Sequence, residues 1–542
     1  MELKLDEVKL WLGTGVCDCE SRIETPRQAP SHSRAMRPAC ITAHQHCQSL
    51  ASSATVDSDS DNNFMGSSEP VIMRDAGIQE AIPPIMLLPA EILLMIFYWA
   101  SRCQLQVSAV DLMTIQARHG SGSREEEEAR NSEYTTATSQ QLAFVCSRWR
   151  DVLAMRGVFW KSLDITIDGD TFIPSIIKTF FVASRTNEIQ VSVAPRDLTS
   201  PSLTPAEEHE RLAFIMRHME PHLERLSRLS INTFYRSTIV NISSFFDGAA
   251  MPNLSELHLV SQDTDDDAHL KCTALHFPLI QTLHIDAKSF VDLMKAGVTP
   301  SEPLGLFGPV DNFSFSITKF RPNNPSSAPG IAEFFGALQL VDNDCVLYLK
   351  VLNVTLASED PSHQRLLLDS LYSLEVYDLE GPDFAAFFDS FEAHSLESAV
   401  VARCKAEERV TISGPYLQVI GVDSSCSLLR MVQDWYGVEL SIEECQGFDD
   451  WFLGSLAFCS EEKLSRLPCP ELVYLALIGC TFSASALQRL CEMRLQVWRK
   501  NTNKSHNRIR SISVRGGPKL DESLRRWFEI NMDTFQWEEK EM

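Results

Sequence analysis

The chain is short of the features that announce chemistry. Glycine supplies only 23 of 542 residues, too few for tight cofactor-cradling turns to be a theme. The sequence has no glycine-rich phosphate loop with a lysine, no G-x-S-x-G, no H-E-x-x-H and no paired C-x-x-C, so the common phosphate, nucleophile and zinc signatures are missing. Positive charge is also scarce: 48 Lys and Arg stand against 73 Asp and Glu, a formal net charge of −25. Nucleic-acid and anionic-membrane partners need a basic footprint to neutralise phosphates, so neither is expected. The 15 cysteines follow no framework spacing, and reduced thiols in a cytoplasmic or nuclear setting are the simpler expectation. One stretch, 81–100, is long and apolar enough to suggest a membrane span. Pro83, Pro84, Pro89 and Glu91 interrupt it, and each is costly in lipid. The opening Met-Glu-Leu-Lys-Leu-Asp-Glu lacks the basic and apolar regions of a secretory signal.

What is present falls into four pieces. Residues 1–80 show no sustained periodicity and read as a disordered arm. Within it, the run starting at Asp57 resembles a calcium loop, but Asn62 and Ser68 stand where glycine and glutamate are needed. Cys40, His44 and Cys47 are zinc-capable types at a spacing that fits no standard finger. Neither is taken as a site, and no metal or cofactor is expected.

At residue 82 the texture changes. Pro89 and Glu91 suit a first helical turn, where a missing N–H is no loss and an acid meets the positive end of the helix dipole. Leu88, Ile92, Leu93, Ile96 and Phe97 then recur at helical spacing. A second helix is predicted over 141–153, with Leu142, Val145, Cys146, Trp149, Val152 and Leu153 on one face. A third cue is Phe159-Trp160. The polar stretch between the helices, about 104–140, carries the acidic run Glu125 to Glu128 and reads as a solvated insertion.

Leu88-Pro-Ala-Glu-Ile with Ile96-Phe97, then Val145-Cys-Ser-Arg-Trp149, then Phe159-Trp160, resemble in order the F-box of fungal F-box proteins. The resemblance covers 81–162 and departs from the family in the length of its middle loop. It implies a helical module that docks a Skp-family adaptor and, through it, a cullin within an SCF-type ubiquitin ligase. The residues matched to that adaptor face are Leu88, Pro89, Glu91, Ile92 and Ile96, with Val145, Cys146 and Trp149 from the second helix.

From residue 163 short β-like runs alternate with polar loops and helical segments. Leu-x-x-Leu-x-Leu appears at Leu226, Leu254 and Ile280, and weaker copies begin at Val310, Val346, Leu371, Leu396 and Leu417. The Leu472 copy, with Leu475, Leu477 and Cys480, fills the leucine-rich-repeat template, and Ile509 to Val514 would close the series. The copies recur every 20 to 37 residues or so, straddling the roughly 20–29 residue repeat range. The fold class expected is therefore α/β: a small helical F-box followed over 163–515 by an irregular leucine-rich-repeat solenoid, a curved parallel sheet with helical returns. Residues 516–542 are expected to form a cap or tail. Residues between the leucines face outward, which nominates Glu256, His258, His284 and Tyr474 as target contacts. The implied function is non-enzymatic: recruitment of a target protein of unknown identity. The alternative is a leucine-rich scaffold with no ubiquitin role.

Overall fold

The computed structural model describes residues 84–100 and 141–540, apart from 144 and seven stretches (169–173, 273–274, 298–311, 341–345, 358–364, 458–466 and 501–506). The arm 1–80, with its zinc-like and calcium-like runs, lies outside the described residues, as does most of the acidic insertion. Everything below belongs to the unit Ala81–Met542. Among the described residues no helix is long and apolar enough to cross a membrane.

Fourteen strands form one parallel sheet in strict chain order. The first five are β1 (Ser162–Thr166), β2 (Ile189–Ala194), β3 (Leu226–Tyr235), β4 (Glu256–Asp263) and β5 (Thr282–Asp286). The middle five are β6 (Asn312–Thr318), β7 (Val346–Leu352), β8 (Leu371–Tyr377), β9 (Ser398–Ala402) and β10 (Tyr416–Ile420). The last four are β11 (Glu439–Glu443), β12 (Tyr474–Ile478), β13 (Ser511–Gly517) and β14 (Thr534–Glu539). The protein is thus α/β, with helices in many of the crossovers, and the ordering is compatible with a solenoid. Parallel neighbours demand a crossover between them. Each strand therefore pairs with the one before and the one after, and each repeat buries its apolar face only by stacking.

Alternation decides the inner face. In β4 Leu257 and Leu259 are buried while Glu256 and His258 are only partly so. One inward row runs across the sheet through Leu229, Leu257, Leu283, Phe315, Leu349 and Leu374. It continues through Ala399, Leu417, Leu440, Leu475 and Ile512. Two repeat frames differ from the sequence expectation. Phe315, not Phe313, aligns with Leu283. Leu417 occupies the row where the frame had placed Ile420, which faces the open side. Both shifts are register effects, set by the neighbouring strand rather than by the local string. The series also does not close at Val514: a helix (Glu522–Asn531) and β14 extend the sheet into the expected tail.

A repeated turn ends the strands. Asn353, Asp378, Arg403, Gly421, Glu444 and Gly479 each follow a strand with φ between 52° and 64°. Each donates its N–H to a carbonyl on the next strand, at 2.7–3.0 Å. The residue after each is buried: Val354, Leu379, Cys404, Val422, Cys445 and Cys480. The three thiols add a second set of bonds, donating back to Val376 O, Val419 O and Ile442 O at 3.6, 3.6 and 3.4 Å. Burial pushes the Cys404 and Cys445 thiols up to about 12, so they stay protonated and able to donate.

Candidate protein-docking surfaces

The helix α1 (90–100) is apolar almost all round, Glu91 being its one charged residue. It therefore has more apolar surface than one core contact can cover. Leu93 and Phe97, four residues apart, are its fully buried side chains, and Phe97 packs on Trp149 with ring centroids 4.8 Å apart. Trp149, Val152 and Leu153 of α2 (Ser147–Ala154) and Trp160 join them in one core that continues into β1. The other face of α1 is left uncovered. Met95 is 46 %, Tyr98 51 % and Trp99 53 % exposed. Leu88 and Ile92 are partly exposed and Glu91 exposed. At about 100° per residue, Ile92, Met95 and Trp99 fall on one stripe of the helix, and Leu88 lies just before its start.

The second expected helix is broken rather than continuous. Cys146 is extended (φ −165°, ψ 166°) and its Sγ accepts from Trp149 N at 3.4 Å, capping α2. Its side chain thus serves the helix start. Val145, just before the break, is exposed, and Arg148 Nη2 donates to Leu88 O at 2.8 Å, tying α2 to the entry of α1. The structure accordingly brings Pro89, Glu91 and Val145 to the surface, leaves Ile92 half-buried, packs half-buried Leu88 and Ile96 against the core and turns Trp149 inward. Met95, Tyr98 and Trp99 carry as much exposed apolar surface as any of these. Sequence reasoning missed them because a helix apolar on every side gives no contrast between its faces.

The second surface is the open face of the sheet. Glu256 is paired with Arg228 of β3 at 2.9 Å. His258 and His284, opposite each other on β4 and β5, stack with centroids 4.1 Å apart and planes within 6°. Burial, then the partner ring and Arg228, pushes His258 down to about 3, and burial with Lys350 and Arg228 takes His284 to about 4. The pair is neutral near pH 7 and packs as an aromatic pair. Among the described residues no group of three or more His, Cys, Asp or Glu is gathered for a metal ion. Tyr474 lies far along the sheet on β12 and is 47 % exposed. The four nominated residues therefore form two separate places, one packed on its own strand neighbours and one open.

No protein-family model matches the chain, and no curated protein matches it.

Proposed function

We propose that the chain is a substrate-recruiting F-box subunit of an SCF-type ubiquitin ligase, docking a Skp-family adaptor through α1 and its surroundings and a target protein through the sheet face. The observation that carries this is the exposed Met95 and Trp99 in line with half-buried Ile92 on one stripe of α1, together with exposed Val145. Contiguous exposed apolar surface on a folded unit marks an interaction site, and here Met95, Tyr98 and Trp99 carry it on the helix that bears the first part of the F-box-like string. The buried Phe97–Trp149 contact presents that stripe on a fixed support. The contribution to ubiquitin transfer is proximity: holding two proteins together turns a bimolecular encounter into a local one. The test is co-purification with a purified Skp-family adaptor. Leu88→Ala with Pro89→Ala, in a protein that keeps its unfolding midpoint, abolishes capture on this proposal. Undiminished capture, or none by the wild type, leaves the leucine-rich scaffold.

A further inference from the structure

At three places on or beside the open sheet face opposite charges meet. Glu256 pairs with Arg228 at 2.9 Å, Glu375 with Lys350 at 3.3 Å, and Asp378 at the edge with Arg403 at 2.7 Å. β11 is different. Its outward residues are Glu439, Ser441 and Glu443, and among the described residues neither glutamate has a cation in ion-pair range. Arg515 lies in the Glu443 row two strands away, roughly 10 Å at ordinary strand spacing.

The flanking strands shape the place. Tyr416 and Tyr474 stand on either side of Glu439, Gln418 and Ala476 beside Ser441, and Ile420 and Ile478 beside Glu443. The middle row goes on to Ser513, so a floor of three small side chains, Ser441, Ala476 and Ser513, runs between two rows of larger ones, and Ser441 itself is buried. Glu443 Oε1 accepts from Gln418 Nε2 at 2.7 Å and from Ser441 Oγ at 3.3 Å, which leans the carboxylate over that floor. The two glutamates are four residues apart, about 13 Å along the strand. The negative field is felt locally: burial first, then Glu439 and Glu443, raise the Tyr416 hydroxyl.

We propose that this stretch of the sheet face seats a lysine- or arginine-bearing segment of the target, with its cations against Glu439 and Glu443 and its apolar neighbours against Tyr474 and Ile478. This rests on the sheet face being the target-holding surface, and not on the role given to α1. Charge complementarity selects the occupant: the uncompensated residues are acids, and the walls around them are aromatic and aliphatic.

Fluorescence anisotropy on the full chain tests it, using a labelled eight-residue peptide alternating Lys or Arg with Val or Leu, and its Glu-substituted counterpart. The basic peptide binds and the acidic one does not. Glu439→Gln with Glu443→Gln keeps the hydrogen bonds but weakens binding about tenfold, as expected for two exposed charge pairs. Tyr474→Ala weakens it about fivefold or more. Salt weakens binding to the wild type far more than to the double variant. Equal binding by the double variant, or of the acidic peptide, overturns the proposal. So does self-association that the same variant abolishes, because it places a second copy there. Crosslinking to a captured target separates the two levels. Tyr348 of β7 and Tyr372 of β8 are exposed on the same sheet with ring centroids 5.8 Å apart; a target lost with Tyr348→Ala and Tyr372→Ala but kept by the glutamate variant sinks the basic-segment proposal alone. One kept by both sinks the target-holding face as well.

Discussion

Phe97 and Trp99 lie two residues apart on α1 and face opposite ways, which allows docking and stability to be separated. Trp99 is 53 % exposed and Phe97 fully buried against Trp149. An aromatic side chain carries roughly 150–250 Å², so a partner covering the exposed half of Trp99 removes roughly 80–130 Å² from water. At about 25 cal/mol per Å² this contributes about 2–3 kcal/mol, a weakening of roughly 30- to 150-fold when the side chain is lost. Trp99→Ala should therefore reduce affinity for a purified Skp-family adaptor by that factor in calorimetric titration while the urea midpoint stays put. Phe97→Ala creates a cavity in the core and should cost about 3–5 kcal/mol of stability. Two outcomes refute the reasoning: adaptor affinity within twofold of wild type for Trp99→Ala, or a fall in its unfolding midpoint matching that of Phe97→Ala.

Arg236 is fully buried and donates to Asp286 at 3.2 Å, to Asp266 O and Ala268 O at 2.7 and 2.8 Å, and to Ser289 Oγ at 3.0 Å. Arg236→Ala leaves Asp286 buried and uncompensated and should cost about 3–5 kcal/mol; the double change Arg236→Met with Asp286→Leu should cost less than Arg236→Ala alone, read by urea unfolding and amide exchange in β3 to β6. The His258–His284 pair gives the sheet an acid limit. Folded values of about 3 and 4 lie below the unfolded 6.5, so the unfolded chain takes up protons first. The stability this represents is intact above about pH 6.5 and is lost as pH falls through the folded values, toward about 3. His258→Gln with His284→Gln should flatten the decline of the urea midpoint over that window, and an unchanged slope would count against the burial of the pair.

Local pattern alone determined a good deal. Period-two alternation in Leu226–Ile231, Leu254–Leu259 and Ile280–Ile285 is enough to define β3, β4 and β5 and to put Glu256 and His258 on the side away from the leucines, because the pleat reverses every residue. Proline and acid punctuation before a long apolar run is enough to start α1. Choices between equivalent local options belonged to the tertiary structure. Nothing in the run 90–100 tells Leu93 and Phe97 from Met95 and Trp99; the position of Trp149 and Val152 chooses the buried pair. Phe315 replaces Phe313, and Leu417 replaces Ile420, because strand register is set by hydrogen bonds to the neighbouring strand. The break at Cys146, the added strand β14 and the thiol-capped turns after β9, β11 and β12 likewise depend on partners distant in sequence. So does the contrast between Glu256, which meets Arg228, and Glu439 and Glu443, which meet no cation among the described residues. All three are glutamates on outward strand positions, and only the assembled sheet decides which of them meets an arginine.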